Sequence, residues 1–487
     1  MKRVHAAPRL ALLAAALMLA GCANFSGIDA QSALRGPGSV GLAPDAAPAF
    51  SPAAEWWQEF GDAQLNRLVG EALAGNPGLK LARARLARAQ AAGEAAGAAR
   101  LPQLNGSIDV TRQRYTEHGA VPPPLAGSVR DNGTLQLVAS WELDFFGRNE
   151  AALQAALGGA RAARADAEAA RVLLASNVAR AYLQLARLND QLEVAQRTLA
   201  QREEALRLVG DRVRAGLDTQ LELRQSEGAL PEARQQIEAL REQAALARHA
   251  LAALTGAGNR DVVRQTPSLA AFTVIPVPEQ LPADLLGQRA DIAAARWRVE
   301  AAAQDVRGAK AQFYPNVNIV ALAGLSSIGL GRLLDTGSSQ WAVGPAIRLP
   351  VFDAGRLRAN LRGKTADLDA AVESYNGAVL DAIREAADQV ASAQSIARQQ
   401  GEQRAAQAAA EAAYELARQR YRAGLGTYLH VLTAETTVLN QRRLAVDLAA
   451  RALDTRVALL RALGGGARPE TVAAVPAGDP SIPKARP

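Results

Sequence analysis

Few residues in this 487-residue chain are equipped for chemistry. There is one cysteine, Cys22, and there are four scattered histidines, so the sequence offers neither a disulfide framework nor a metal cluster. Acids lie among arginines at helical spacing, which is the pattern of surface ion pairs rather than of paired catalytic carboxylates. No nucleophile–base constellation, phosphate-binding glycine loop or metal-ligand spacing occurs. The expectation is a chain with no enzymatic activity and no cofactor. Position is more telling than residue type. Cys22 directly follows an apolar run, and Glu, Tyr, His and Thr side chains gather around two copies of Arg-Ala-Gly-Leu, at 214–217 and 422–425.

The apolar run explains the cysteine. Lys2 and Arg3 give a positive start, Leu10 to Ala20 are apolar, and Leu19-Ala20-Gly21-Cys22 follows, so residues 1–21 read as a secretory signal peptide. The tetrapeptide resembles the bacterial lipoprotein box, which implies cleavage before Cys22 and acylation of its thiol. Ala23 in the next position implies sorting to the outer membrane. Residues 22–54 are rich in Gly, Ala, Pro and Ser and are expected to be a lipidated tether, with structure beginning near Trp56-Trp57. The Pro-rich tail, 468–487, is expected to be disordered.

The elements that must position the two glycine turns are long. Residues 148–215 and 356–423 each run without proline and, as helix, extend about 100 Å. The first keeps a seven-residue apolar beat through Val178, Leu185, Leu192, Leu199, Leu206 and Val213, which is coiled-coil spacing. Each breaks at its glycine and returns as a second helix, from about Thr219 to Leu254, where Pro231 should kink or interrupt it, and on to Leu463. Upstream of each rod lie a helix (Pro77 to about Ala99; Pro282 to Phe313) and a hairpin. The strands are expected at about 104–115 and 134–144, and at 317–325 and 341–351. They alternate: Leu135, Leu137, Ala139, Trp141 and Leu143 face one way, Gln136, Ser140, Glu142 and Asp144 the other. Such dyads suit lipid on one side and water on the other, although a half-buried soluble hairpin gives the same pattern. Arg148 and Arg356 stand 208 residues apart, as do Gly216 and Gly424, so the helix–hairpin–long helix–helix unit is duplicated, as 55–258 and 283–467 around a linker at 259–282.

Hydrophobic residues make up 49% of the chain and aromatics only 4%, so the apolar content is mostly Ala and Leu, which suits extended helical layers. The net charge of +7 is spread among acids with no isolated basic block, a solvated helical face rather than a nucleic-acid surface. Outside the N-terminus no apolar run is long enough for a membrane helix, so any crossing must be made by strands. Four strands cannot close, and an open edge in hydrocarbon leaves backbone groups unpaired. Closure must be shared, by eight strands in a dimer or twelve in a trimer. Twelve leave a passage.

Trp56-Trp57, Asn76-Pro77, the run Ser140 to Arg148, Leu281 to Leu286, Arg289 to Ile292, Pro350 to Arg356 and the two Arg-Ala-Gly-Leu turns resemble, in order, the outer-membrane efflux family, in the lipoprotein branch that serves RND-type tripartite pumps. The resemblance implies a mainly α fold with a membrane β-barrel: a homotrimer whose twelve-stranded barrel continues into a twelve-helix periplasmic α-barrel. It implies an exit duct in the outer membrane, with a periplasmic adaptor and an inner-membrane RND transporter as partners. The alternatives are a duct for metal ions or for type I protein export, or a lipid-tethered structural coiled coil of the periplasm.

By the same resemblance the helix turns form the tunnel tip. Arg212, Gly216, Leu217, Arg420, Gly424, Leu425 and Thr427 are candidate adaptor contacts, with simple helix capping as the plain reading of the glycines. Relatives often place acids facing the pore beyond the second turn, where this chain has His430 and Thr433. Three copies of His430 could form a ring that charges near pH 6; a solvated or packed histidine is the alternative. Glu222 keeps an acid on the first hairpin, and a Glu222–Tyr421 contact is expected to hold the tip closed.

Overall fold

The computed structural model describes residues 24–36, 52–273 and 285–467. Signal peptide, Cys22, most of the expected tether, part of the linker with Leu281–Asp284, and the tail lie outside the described residues. The elements are α1 (Ala63–Gly75), α2 (Pro77–Ala98), β1 (Gln103–Arg114), β2 (Val129–Leu143), α3 (Arg148–Arg214) and α4 (Gln220–Thr255). After the linker come α5 (Leu285–Gln288), α6 (Ala290–Ala311), β3 (Asn316–Ile328), β4 (Ser339–Arg348), α7 (Arg356–Arg422) and α8 (Tyr428–Ala462). The two rods α3 and α7 are each 67 residues, about 100 Å.

The strands form one antiparallel sheet in the order β1-β2-β3-β4. Its register sorts the two faces. Leu104 lies opposite Ala139, Ile108 opposite Leu135, Trp141 opposite Ile319 and Ala323 opposite Trp341, so one face is an unbroken apolar band. The other carries Asn105, Ser107, Asp109, Gln136, Ser140, Glu142, Asn316, Asn318 and Arg348. Trp341 near the loop end, and Trp141, Phe145 and Phe352 near the helix end, are exposed aromatics that bracket the band as interfacial girdles do. Among the described residues no helix is long and apolar enough to cross a membrane.

Both rods lie against the shorter helices. Near the sheet the order across the protomer is α2–α3–α6–α7; beyond the middle it is α4–α3–α8–α7. The middle holds the largest core, where Trp56, Trp57 and Phe60 meet Leu65, Leu68, Tyr182, Leu185 and Phe272. Here Asp62 caps α1 by accepting from Leu65 N at 2.7 Å, and Asn76 caps α2 through Gly78 N at 2.8 Å. Arg289, 8% exposed, ties α6, α7 and α8 together, donating to Asp291 (2.7 Å), Glu385 (3.0 Å) and the Ala462 carbonyl (3.3 Å).

Three sequence expectations need correction. Residues 24–36, expected as tether, are docked along α6 and α7. Ile28 and Leu34 are buried, Phe25 meets Phe313 edge-on at 5.9 Å, and Asp369 accepts from Gln31 N and Ser32 N at 2.9 Å each. Asn376 completes the strap, accepting from Arg35 N (2.9 Å) and donating to the Ala33 carbonyl (3.0 Å). Side chains of a distant helix thus satisfy a backbone that its own composition leaves unpaired. The described part of the linker contributes Val262, Leu269 and Phe272 to the middle core. Second, Pro231 does not interrupt α4. Arg202 on the neighbouring rod donates to the Ala229 carbonyl in that turn at 2.9 Å, and packing holds the helix through the missing N–H. Third, the helix expected from Pro282 to Phe313 is broken at Arg289, between α5 and α6, because Arg289 takes an extended backbone to reach its three partners.

Candidate functional site

At the end farthest from the sheet, both rods turn through the same backbone. Gly216 (φ 73°) and Gly424 (φ 74°) occupy the left-handed region that favours glycine. Leu217 N donates to the Arg212 carbonyl at 2.9 Å and Leu425 N to that of Arg420 at 2.8 Å, the six-to-one bond that closes such a helix end. Leu217 is 65% and Leu425 70% exposed, with Leu221 and Leu429 exposed beside them, so each turn offers water a small apolar cap.

The side chains then diverge. After Leu217 comes Asp218; the matching residue after Leu425 is Gly426. Arg212 therefore has an acid to grip, at 2.9 and 3.3 Å, whereas Arg420 stays exposed and reaches only the Leu425 carbonyl at 3.4 Å. Tyr421 stands where the first turn has Val213, and its hydroxyl donates to the same Asp218 carboxylate. The Arg212 guanidinium lies 4.7 Å over the Tyr421 ring. Tyr421 is 2% exposed, in a core with Val209, Tyr414, Tyr428, Val431 and Val438. Burial pushes the Asp218 carboxyl up, but hydrogen bonds from Arg212 and Tyr421 outweigh it and hold it below its ordinary value. Burial first, and then the Asp218 carboxylate, push the Tyr421 phenol up.

The expected Glu222–Tyr421 contact is not made. Glu222 turns back on its own helix end, accepting from Thr219 N at 3.0 Å and from the Thr219 hydroxyl, while Thr219 caps Leu221 N at 3.1 Å. A three-residue reach to the cap is shorter than a crossing between hairpins, so the local partner wins. The hydroxyl partner of Tyr421 is Asp218, which the sequence reading passed over. Aligning Arg-Ala-Gly-Leu-Asp with Arg-Ala-Gly-Leu-Gly carried the signal. Arg212, expected to face an adaptor, lies inside this cluster with 13% of its side chain exposed. His430 is exposed on α8, its Nδ1 3.2 Å from the Thr427 hydroxyl; Thr433 is exposed and donates to the Leu429 carbonyl at 2.9 Å.

Farther along the hairpins Glu435, 6% exposed, faces Arg202 at 3.4 Å. Burial pushes its carboxyl up, and Arg202 only partly offsets this. Arg442 clamps Glu411 with two bonds of 2.7 and 2.6 Å, and Arg422 joins Glu204 at 2.7 Å, tying α7 to α8 and to the first rod α3. Among the described residues no group of His, Cys, Asp and Glu could hold a metal ion.

A membrane sheet with two open edges, continued by two 100 Å hairpins that end in a latched tip, defines a duct completed by copies of itself. The family model for outer membrane efflux protein matches residues 68–257 and 281–465, and the chain belongs to that family. It is 39% identical to the fusaric acid resistance protein FusA of Burkholderia cepacia, over 72% of this chain and 68% of that protein. It is 32% identical to the multidrug resistance outer membrane protein MdtQ of Escherichia coli O6:H1, over 94% and 98%. The crystal structure of VceC, an outer membrane protein of Vibrio cholerae, matches with TM-score 0.81 at 39% identity, covering 85% of this chain and 99% of that one. The open state of the Neisseria gonorrhoeae channel MtrE matches at 0.78 and 27%, covering 90% and 98%. The protein is therefore a trimeric outer-membrane efflux channel: twelve strands in the membrane and a helical tunnel in the periplasm, with no enzymatic role.

Proposed function

We propose that this channel is the exit duct of a tripartite RND-type efflux pump. A periplasmic adaptor docks on the apolar caps at Leu217 and Leu425, and toxic small molecules delivered by an inner-membrane transporter leave through the lumen. The adaptor reading is supported by the exposure of these leucines at the two glycine turns farthest from the sheet. At rest the Arg212–Asp218–Tyr421 cluster joins the second hairpin of each protomer to the first, and docking parts them. Cys22 carries the lipid. Asn24, two residues on, has its carbonyl held by Arg358 at 2.7 Å, near the start of α7 and thus near the barrel, a placement that suits an anchored residue.

Deleting the gene and testing susceptibility to dyes, antibiotics and metal salts decides the cargo. Sensitisation to organic compounds, restored by the wild-type gene, supports the RND reading. Sensitisation to metal salts alone, or loss of a secreted protein with no sensitisation, replaces it with metal-ion or type I export. Radiolabelled palmitate should enter the wild-type protein and not Cys22→Ser.

A further inference from the structure

The protomer has two unpartnered helix faces, on the same sides as its two open strand edges. α2 leads into β1, and β4 leads into α7, so β1 with α2 forms one flank and β4 with α7 the other. α2 packs on one side only, where Leu79 and Gly93 are buried. Its opposite face carries Leu81, Ala84, Arg88, Ala91, Ala95 and Ala98, all exposed and spaced by threes and fours, the step of a left-handed helix pair. Around this stripe stand Lys80, Arg83, Arg85 and Arg88 against one acid, Glu94. Among the described residues none of these four cations has an ion pair or side-chain hydrogen bond in its own protomer.

α7 is the mirror case. It buries Leu361, Leu368, Val372, Val379 and Ala386. Its outer face steps through Gly363, Asp367, Ala370, Ser374, Gly377, Asp381, Arg384 and Asp388, all exposed. Small residues let a second backbone approach closely, and the acids flank them. Asp367 and Asp381 are 67% and 73% exposed, with partners only on their own helix, Lys364 at 3.7 Å and Arg384 at 3.6 Å.

The heights agree. α6 runs antiparallel to α7, with Arg289 beside Glu385, Asp305 beside Lys364 and Gln312 beside Asn360. α2 is the repeat counterpart of α6, and both have 22 residues. Transferring those rungs through the repeat sets Lys80 within a turn of the level of Asp381, and Arg88 within a turn of Asp367.

We propose that in the trimer α2 packs on the α7 face of the next copy, small residues against small residues. Lys80 then meets Asp381 of the partner subunit, and Arg88 meets Asp367 of the partner subunit. The segregation of charge is confined to the barrel-side half. On α4, which takes the place of α2 toward the tip, arginines pair within their own helix, Arg224 with Glu227 (2.7 Å) and Arg241 with Glu238 (2.6 Å). The ladder therefore clamps the upper seam and sets its register, while the lower seam is left free to part when the tip dilates.

Two measurements on the full-length protein, solubilised from outer membranes in detergent, test this. Ala84→Cys with Ser374→Cys, level with each other on the transferred rungs, should give disulfide-linked dimers and trimers on non-reducing gels; a protein that is trimeric yet forms no such links overturns the pairing while leaving the channel reading intact. Asp367→Lys with Asp381→Lys should weaken trimer association at least about tenfold, and adding Lys80→Asp with Arg88→Asp should restore it to within about threefold. A swap that restores nothing, in a protein whose Ala84–Ser374 cysteines also fail to link, sinks the ladder. If the reversed variant does not reach the membrane, the cysteine pair still decides.

Discussion

In the proposed latch three side chains at the tip, Arg212, Asp218 and Tyr421, hold the two hairpins together. Arg212 and Asp218 are both largely buried, and removing one charge leaves the other without its partner in a poorly solvated site. Asp218→Asn should therefore loosen the hairpins, and Tyr421→Phe should do so more mildly. Both should raise single-channel conductance or open probability in planar bilayers; unchanged traces from both would remove the latch. Glu222→Gln, by contrast, should leave conductance alone and speed hydrogen exchange in the first turn of α4, because its bonds stay within that turn. The pH dependence has a sign. Asp218 lies below its ordinary value of 3.8, so its contribution is complete above that pH and is lost only as pH falls through the lower folded value. The latch should hold equally at pH 7 and pH 5. Glu435 is raised above its ordinary 4.5, so its contribution is present below that pH and is lost as pH rises through the folded value. Thermal midpoints measured from pH 4 to 8 should fall more in the wild type than in Glu435→Gln.

At the scale of elements, the hairpins and the N-terminal strap make separable demands. Leu137 sits mid-strand on the apolar face and Gln136 on the polar one, opposite Ala323 and Gly324. Leu137→Arg should cost about 2–4 kcal/mol and lower the amount of folded trimer in outer membranes, while Gln136→Arg should be tolerated. Equal loss from both would contradict the assignment of faces. The middle of the strap is held by Asp369 and Asn376 of α7, and its start by Arg358. Asp369→Ala with Asn376→Ala should cost about 1–3 kcal/mol and open residues 24–36 to proteolysis, read by mass spectrometry of the fragments. Composition marked these residues as linker because Gly, Ala and Ser predict no periodic structure. Their order comes from acceptors more than 330 positions away. Pro231 teaches the complementary lesson, since a local breaker was overruled by a packed neighbour.

At the scale of the molecule, the chain is a third of a wall. One protomer pairs β1 to β4 and leaves both ends open, so stability in the membrane and the existence of a lumen are properties of three copies together. The sequence by itself determined what is periodic or repeated. The two rods, their glycine turns, the alternating strands, the duplication and the need for shared closure all follow from spacing within a few residues or from the 208-residue offset. Only the tertiary structure decided which acid Tyr421 meets, that Arg212 faces inward, and that the supposed tether is a strap. The physical reason is that backbone periodicity is set by neighbours in the chain. A buried side chain takes whichever partner packing brings within 3 Å, and at the tip packing carried Tyr421 to a residue 203 positions earlier.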